Sequence, residues 1–374
     1  MTIQINWICS DAELAERCKY WNTLAFVALD TEFIRVDTFY PIAGLLQVSD
    51  GENTYLLDPL LINNWQPLAQ LFNNPQVVKV LHACGEDLEV FSLLVGALPA
   101  PMFDTQLAAG YLNIGFSMGY SRLVEQLLDI ELPKGETRSD WLQRPLTELQ
   151  VLYAAQDTAY LVDVYQALAQ QLTEQKYAWV LEDGAALVAS YEQEPDPYEF
   201  WRTVKLAWKL TPQQLAVLRE LAAWRELQAR ARDVPRNRII RESTLWALAN
   251  EQPRDMTHLA QLEDMHPRIL RKEGATLLSL IKQAKGLPEQ DWPPALPEPL
   301  PVEATKLLKR LRKIGLDLGG KLDIAPEMML RKKILEELLR SGYPSGPYTL
   351  PESLQGWRRE LLGESLLQCL EDIQ

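Results

Sequence analysis

The sequence changes character at Pro195-Asp196-Pro197. Before it, apolar runs of strand length alternate with amphipathic stretches. Beyond it no strand-like run remains, and Leu, Ala and Trp recur at helical spacing over 208–285. Such a pattern predicts an α/β domain followed by all-helical domains. A second boundary lies at 288–301, where Pro288, Pro293, Pro294, Pro297, Pro299 and Pro301 put six prolines in fourteen residues. Proline lacks an amide hydrogen and has a fixed φ, so this stretch is excluded from helix and reads as a stiff extended linker. The expected domains are therefore 1–195, 208–288 and 300–374.

Within the first domain, Ser10 and Glu13 form a capping box ahead of an amphipathic helix. Strand-like runs cover 26–33, 45–49, 54–57 and 77–83, and Asp50-Gly51 joins the second and third as a hairpin. A helix over 64–72 permits a parallel crossover into 77–83. After Gly85 the pattern is helical, broken at Pro99, Pro101 and Pro133. The expected product is a mixed sheet flanked by helices. In the helical half, 239–245 and 324–330 each follow a basic helix and place Ile and Leu six apart, a spacing that either a repeat or chance produces.

The net charge of −14 argues at first against a phosphate-rich partner, since phosphate binding rests on Lys and Arg. The total hides an asymmetry. Residues 1–200 carry 9 Lys and Arg against 28 Asp and Glu, whereas 201–374 carry 28 against 23, which points to two different tasks. Residues 202–241 alone hold ten Lys and Arg and three acids. The longest apolar runs fall short of the roughly 20 residues that cross a bilayer. Residues 1–20 carry Asp11, Glu13 and Glu16 and lack the basic start and apolar core of a signal peptide. Cys9, Cys18, Cys84 and Cys369 form no CxxC pair, which excludes a zinc cluster and a disulfide framework of the usual spacing. The expectation is a soluble cytoplasmic protein, with no coiled-coil seam demanding more than a monomer.

Three acidic segments stand out. Asp30-Thr31-Glu32 ends the apolar run Ala25-Phe26-Val27-Ala28-Leu29, and residues two apart on a strand share a face. Alone the pair reads as a solvated strand end; as a ligand set it suits a hard divalent cation. His82-Ala83-Cys84-Gly85-Glu86-Asp87 runs from a strand into a helix start, where acids ordinarily complement the helix dipole. Tyr153-Ala154-Ala155-Gln156-Asp157 lies on a helix begun near Thr147, and Tyr153 and Asp157, four apart, share one face.

In this order and at these separations, the three segments resemble the exonuclease motifs of the DEDD 3′→5′ exonucleases. Tyr153 is similar to the tyrosine subgroup. Leu29-Asp30-Thr31-Glu32-Phe33-Ile34-Arg35, Leu81-His82-Ala83-Cys84-Gly85-Glu86-Asp87-Leu88-Glu89, and Ser139-Asp140-Trp141-Leu142-Gln143-Arg144-Pro145-Leu146 leading into Tyr153 and Asp157, look most like the ribonuclease D branch. The resemblance covers 1–190; 208–288 looks like the HRDC module shared by RecQ-type helicases and ribonuclease D, and 300–374 like a second, more divergent copy. It implies an α/β ribonuclease-H-like exonuclease domain followed by two all-α HRDC-like domains. It further implies two divalent cations, Mg²⁺ or Mn²⁺, held by Asp30, Glu32, Asp87 and Asp157, with Asp30 bridging and Asp87 acting mainly on the second ion. Tyr153 would orient the attacking water. The implied partner is RNA, namely tRNA precursors and other small structured RNAs with a free 3′ end, trimmed to 5′-nucleoside monophosphates.

Substrate contacts are less defined. Lys134, Arg138 and Arg144 precede the third segment beside Trp141, as phosphate contacts or as a solvated loop around a packing anchor. Phe33 either stacks on the terminal base or is a buried strand-end aromatic. Arg225, Arg232, Arg236 and Arg238, clustered around a turn, suit phosphate contact, though such runs are often solvated helix faces. A 3′→5′ DNA exonuclease and a non-catalytic RNA-binding scaffold are the competing readings. An acidic-strand phosphatase is excluded, because Asp30-Thr31-Glu32 lacks the second aspartate that motif needs.

Overall fold

The computed structural model describes residues 3–133, 135, 139–262 and 264–372. The chain forms two compact units, one of 3–34, 42–193 and 300–372 and one of 35–41 and 194–299. Among the described residues no helix is long and apolar enough to cross a membrane.

The first unit is built on a six-stranded mixed sheet, ordered β1-β4-β3-β2-β5-β6. The strands are β1 (Ile5–Ile8), β2 (Phe26–Ile34), β3 (Ile42–Ser49), β4 (Thr54–Leu57), β5 (Val78–Leu81) and β6 (Met102–Asp104). The hairpin at Asp50-Gly51 pairs β3 with β4 antiparallel, and β2 lies antiparallel to β3 and parallel to β5. Helices α1 (Asp11–Trp21), α2 (Gln66–Phe72), α3 (Gly85–Leu94), α4 (Thr105–Tyr111), α5 (Tyr120–Leu128), α6 (Glu148–Gln171) and α7 (Glu174–Ala189) flank it. Ser10 caps α1, and Thr147 with Gln150 closes a capping box at the start of α6.

The alternation of β2 sorts its side chains between two layers. Val27 and Leu29 join the core formed with α1, α2 and α3, around Leu14, Trp21, Phe72 and Leu88. Ala28 faces the other way, into the core that holds Leu161, Val164 and Leu168 of α6. Asp30 and Glu32 continue the Ala28 row toward α6, and Thr31 continues the Val27 row toward α3. Strands β1 and β6 were not evident in the sequence; four and three residues carry too little alternation to read.

The expected third module is not a separate body. Helices α13 (Ala304–Leu322), α14 (Lys332–Arg340) and α15 (Gly356–Glu371) share one apolar core with α4, α6 and α7. Trp357 stacks on Trp179 with ring centroids 4.5 Å apart. Arg358 forks onto Asp183 at 2.6 and 2.8 Å and donates Nε to the Met328 carbonyl at 2.7 Å. The Ala325 amide donates to the Gly110 carbonyl at 2.9 Å. These contacts join 300–372 to the nuclease unit.

The second unit is all helical, with α8 (Pro212–Ala231), α9 (Arg236–Ile239), α10 (Glu242–Glu251), α11 (Met256–Gln261) and α12 (Pro267–Lys285) around Leu218, Leu221, Leu245, Leu259 and Leu277. Phe39 belongs to this core, held where the Phe39 and Tyr40 amides donate to Asp233 Oδ1 at 2.9 and 3.0 Å.

Candidate active site

Asp30 and Glu32 on β2 meet Asp157 on α6, where one carboxylate oxygen of each lies within 4.8 Å of the others. Tyr153, one turn earlier on α6, shares that face, and its phenol and the Asp157 carboxyl perturb each other's ionisation. The three acids are half-buried at the protein surface yet ringed by protein atoms. Burial, followed by the charges of Asp87, Asp157 and Glu32, holds the Asp30 carboxyl well above the usual range. Glu32 is pushed up to about 9 by burial and by Asp157 and Asp87. Asp157 rises to about 7, burial outweighing the Tyr153 hydrogen bond.

Asp87 approaches from the opposite layer. It stands in the first turn of α3, where Thr31 donates its hydroxyl to Asp87 Oδ1. Asp87 rises to about 6, burial outweighing that bond. The turn delivering it is held by Asp104, buried at the N-terminus of α4, which accepts from the Ala83 amide at 3.2 Å. Ala83 has φ +55°, a left-handed conformation costly for any residue with a Cβ. Asp104 thus clamps a strained turn, a role no spacing in the sequence signals.

Four carboxylates crowded together repel, and each is held toward its neutral form by burial. Hard divalent cations prefer oxygen ligands and neutralise this charge, so the residues present fit such ions. The phenol of Tyr153 is raised far above its ordinary value, by burial and then by Asp157, Glu32 and Asp30, so it stays protonated. The backbone at Gly135 presses on this ring; a Cβ there would collide with it. Trp141 is 1% exposed and packs 6.1 Å from Tyr153, which makes it a packing anchor. His82 is half-buried, with Nδ1 2.9 Å from Thr105 Oγ1, and desolvation favours the neutral ring.

Two residues at this site were not singled out from the sequence. Tyr120 donates its phenol to the Gln156 carbonyl at 3.0 Å and packs on His82 with centroids 5.5 Å apart. Gln47 lies opposite Asp30 in the β2–β3 ladder, fully buried, and neither amide atom has a hydrogen-bond partner among the described residues. An amide inside the otherwise apolar run Leu45-Leu46-Gln47-Val48 was the available signal.

The expected substrate contacts divide. Lys134 and Arg138 lie outside the described residues. Phe33 is half-buried beyond a register shift at Glu32/Phe33, which re-aims the strand end. Arg144 does not face substrate. Its Nε and Nη2 fork onto Asp58 at 2.6 and 2.7 Å, Nη2 also reaches the Gly44 carbonyl at 2.7 Å, and Nη1 takes the Trp141 and Gln143 carbonyls at 3.0 and 2.8 Å. All five guanidinium donors are committed to the fold.

Three of the four arginines expected to meet substrate in the helical unit are similarly engaged, and the fourth, Arg225, is buried with its Nε unpartnered among the described residues. Arg225 is 5% exposed, which leaves it no surface on which to meet a phosphate. Arg236 forks onto Glu226, which is 1% exposed and also accepts from Arg230 at 3.0 Å. Arg232 bonds Glu273 at 2.7 Å, and Arg238, though exposed, pairs with Asp37. The +7 character of 202–241 is thus answered by acids from elsewhere in the same unit, chiefly Glu194, Glu273 and Asp37.

A family model described as a 3′–5′ exonuclease matches residues 5–173, and an HRDC domain matches 214–281. The chain is 61% identical over 368 residues to ribonuclease D of Pseudomonas paraeruginosa, covering 98% of each. It is 37% identical to ribonuclease D of Escherichia coli strain K12, again covering 98% of each. The solved structure of Escherichia coli RNase D, described as an exoribonuclease involved in structured RNA processing, superposes with a TM-score of 0.89 at 35% identity, over 100% of this chain and 99% of that one.

Proposed function

The chain belongs to the ribonuclease D family and is a divalent-cation-dependent 3′→5′ exoribonuclease, and we propose that it trims the 3′ ends of tRNA precursors and other small structured RNAs. The observation carrying the assignment of chemistry is the convergence of Asp30, Glu32 and Asp157 within 4.8 Å, with Tyr153 one helical turn before the last. In this reading Asp30, Glu32, Asp87 and Asp157 would hold two divalent cations, Mg²⁺ or Mn²⁺. Such ions stabilise negative charge on the attacking and leaving oxygens of a phosphodiester.

The rest falls to the protein's own groups. Asp87, on the α3 side and bonded by Thr31, would help hold the second ion. Tyr153, beside Asp157, uses its phenol oxygen to orient the attacking water. In the cation-free protein this phenol stays protonated, so positioning is the role assigned to it. The product is a 5′-nucleoside monophosphate. Structured RNA as substrate is supported by the description of the Escherichia coli relative. The four unpaired cysteines, two of them buried, suit a reducing cytoplasm, and a monomer suffices for the site.

The test is a tRNA precursor labelled at its 5′ end, incubated with Mg²⁺ or Mn²⁺. The expected result is a ladder shortening from the 3′ end, abolished by chelator and by Asp30→Ala. No shortening under either metal would reject the reading in favour of a non-catalytic RNA binder. A matched DNA strand degraded as fast as the RNA would make it a general 3′→5′ exonuclease.

A further inference from the structure

We infer that the groove between α13 and α14, with Phe116 at its rim, is an RNA-binding surface of the nuclease unit, taking a base on Phe116 and strand phosphates on Lys309, Arg312 and Arg331. The inference rests on the exoribonuclease reading and specifies where that enzyme grips the strand away from its carboxylates.

The groove encloses about 470 Å³, and its lining includes four cations, Lys309, Arg312, Arg331 and Lys332, against one carboxylate, Glu327. Lys332 is answered by Glu336 at 3.3 Å. Lys309, Arg312 and Arg331 are exposed, and among the described residues their side chains have no ion pair or hydrogen bond. This is the reverse of Arg144, Arg230, Arg232 and Arg236, whose guanidinium groups are spent on buried or half-buried acids. The helix itself explains the display. Ala304, Leu311, Gly315 and Gly319 form the buried stripe of α13, which turns 309 and 312 outward.

Phe116 supplies the second half of the argument. It is 51% exposed, an aromatic ring in water beside unpaired guanidinium groups. Cations that track a backbone combined with an exposed ring on which a base stacks make a single-strand platform. The groove is also tied to the catalytic acids. Phe116 lies four residues before Tyr120, which bonds the carbonyl next to Asp157. Four residues of chain span at most about 14 Å. The rim of the groove is therefore within a few nucleotides' reach of a strand whose end lies at the carboxylates.

The test uses the full chain and a fluorescent hairpin RNA with a single-stranded 3′ tail, titrated in chelator at several salt concentrations. Replacing Lys309→Gln, Arg312→Gln and Arg331→Gln together should flatten the slope of log K against log salt by about 2, since each single-strand phosphate left without its cation accounts for about 0.7. Phe116→Ala should weaken binding roughly 5- to 150-fold, and Phe116→Trp should keep the parental affinity. Parental slope and affinity in the triple variant and in Phe116→Ala would overturn the inference, as would Phe116→Trp falling as far as Phe116→Ala. Tighter binding of a polyglutamate peptide than of the RNA would assign the groove to an acidic protein and also overturn it. If the unaltered protein binds the hairpin but does not shorten it with Mg²⁺, the exoribonuclease reading fails; if it shortens the RNA and the variants bind normally, only the groove is wrong.

Discussion

Gln47 stands directly across the β2–β3 ladder from Asp30, with both polar atoms of its buried amide unpartnered among the described residues. An unsatisfied buried amide costs about 1–3 kcal/mol. Opposed side chains in such a ladder lie within reach of one another, so a rotation of the Gln47 amide would bring its NH₂ to the Asp30 carboxylate as acceptor. Gln47→Met keeps the volume and removes the donor. Isothermal titration with Mn²⁺ should show affinity reduced about 10- to 100-fold, the usual effect of losing a partner behind a ligand. Unchanged cation affinity would make Gln47 a passive core residue.

The carboxylate cluster should make the cation-free protein less stable as pH rises. Each acid has its folded pKa raised, so its contribution is present below about pH 4 and lost as pH climbs through about 6 for Asp87, 7 for Asp157 and 9 for Glu32. Melting temperature in chelator should fall between pH 5 and pH 9, and Mg²⁺ should restore it most at the alkaline end. Asp30→Asn should raise the cation-free melting temperature at pH 8. A flat profile in chelator would contradict the repulsion inferred here.

Tyr153→Phe removes the phenol and leaves the ring that Trp141 packs against. Turnover should fall about 10²- to 10⁴-fold, the range for a lost positioning or proton-handling group. Cation affinity should stay close to the parental value. Full turnover by the variant would exclude Tyr153 from the chemistry.

Arg144→Ala separates a structural from a substrate role. Breaking its fork onto Asp58, whose side chain is 5% exposed, should cost about 3 kcal/mol. Calorimetry should register that loss, while the salt slope of RNA binding stays parental. A flattened slope with normal stability would return Arg144 to the substrate.

Glu226→Gln should act similarly in the helical unit, because it leaves Arg230 and Arg236 without the buried charge between them. A loss of about 3 kcal/mol is expected for that unit, read by chemical denaturation. An unaffected midpoint would mean that the two arginines re-pair elsewhere at no cost.

What could be read from the sequence was what local periodicity carries. The two-residue spacing of Asp30 and Glu32 and the four-residue spacing of Tyr153 and Asp157 each define a face, and those two faces meet. The face of Asp87 was out of reach, because its bond to Thr31 depends on which layer α3 occupies. The arginines were misjudged for a related reason. Asp58 is 86 residues from Arg144 and Glu273 is 41 from Arg232, so a count of neighbouring charges missed the acids that answer them. The unpaired cations of α13 were passed over because their sequence resembles any solvated helix.

The return of 300–372 to the nuclease core has a consequence for how the enzyme is made. Trp179 is synthesised long before Trp357, and the 194–299 segment lies between them. Domains fold as they emerge, at roughly 5–20 residues per second. The proposed catalytic acids are therefore all translated while the apolar surface around Tyr111 and Trp179 still awaits its cover. Completion of the nuclease core falls to α15, so a ribosome that stalls within the helical unit leaves a chain carrying every proposed catalytic residue on an unfinished domain.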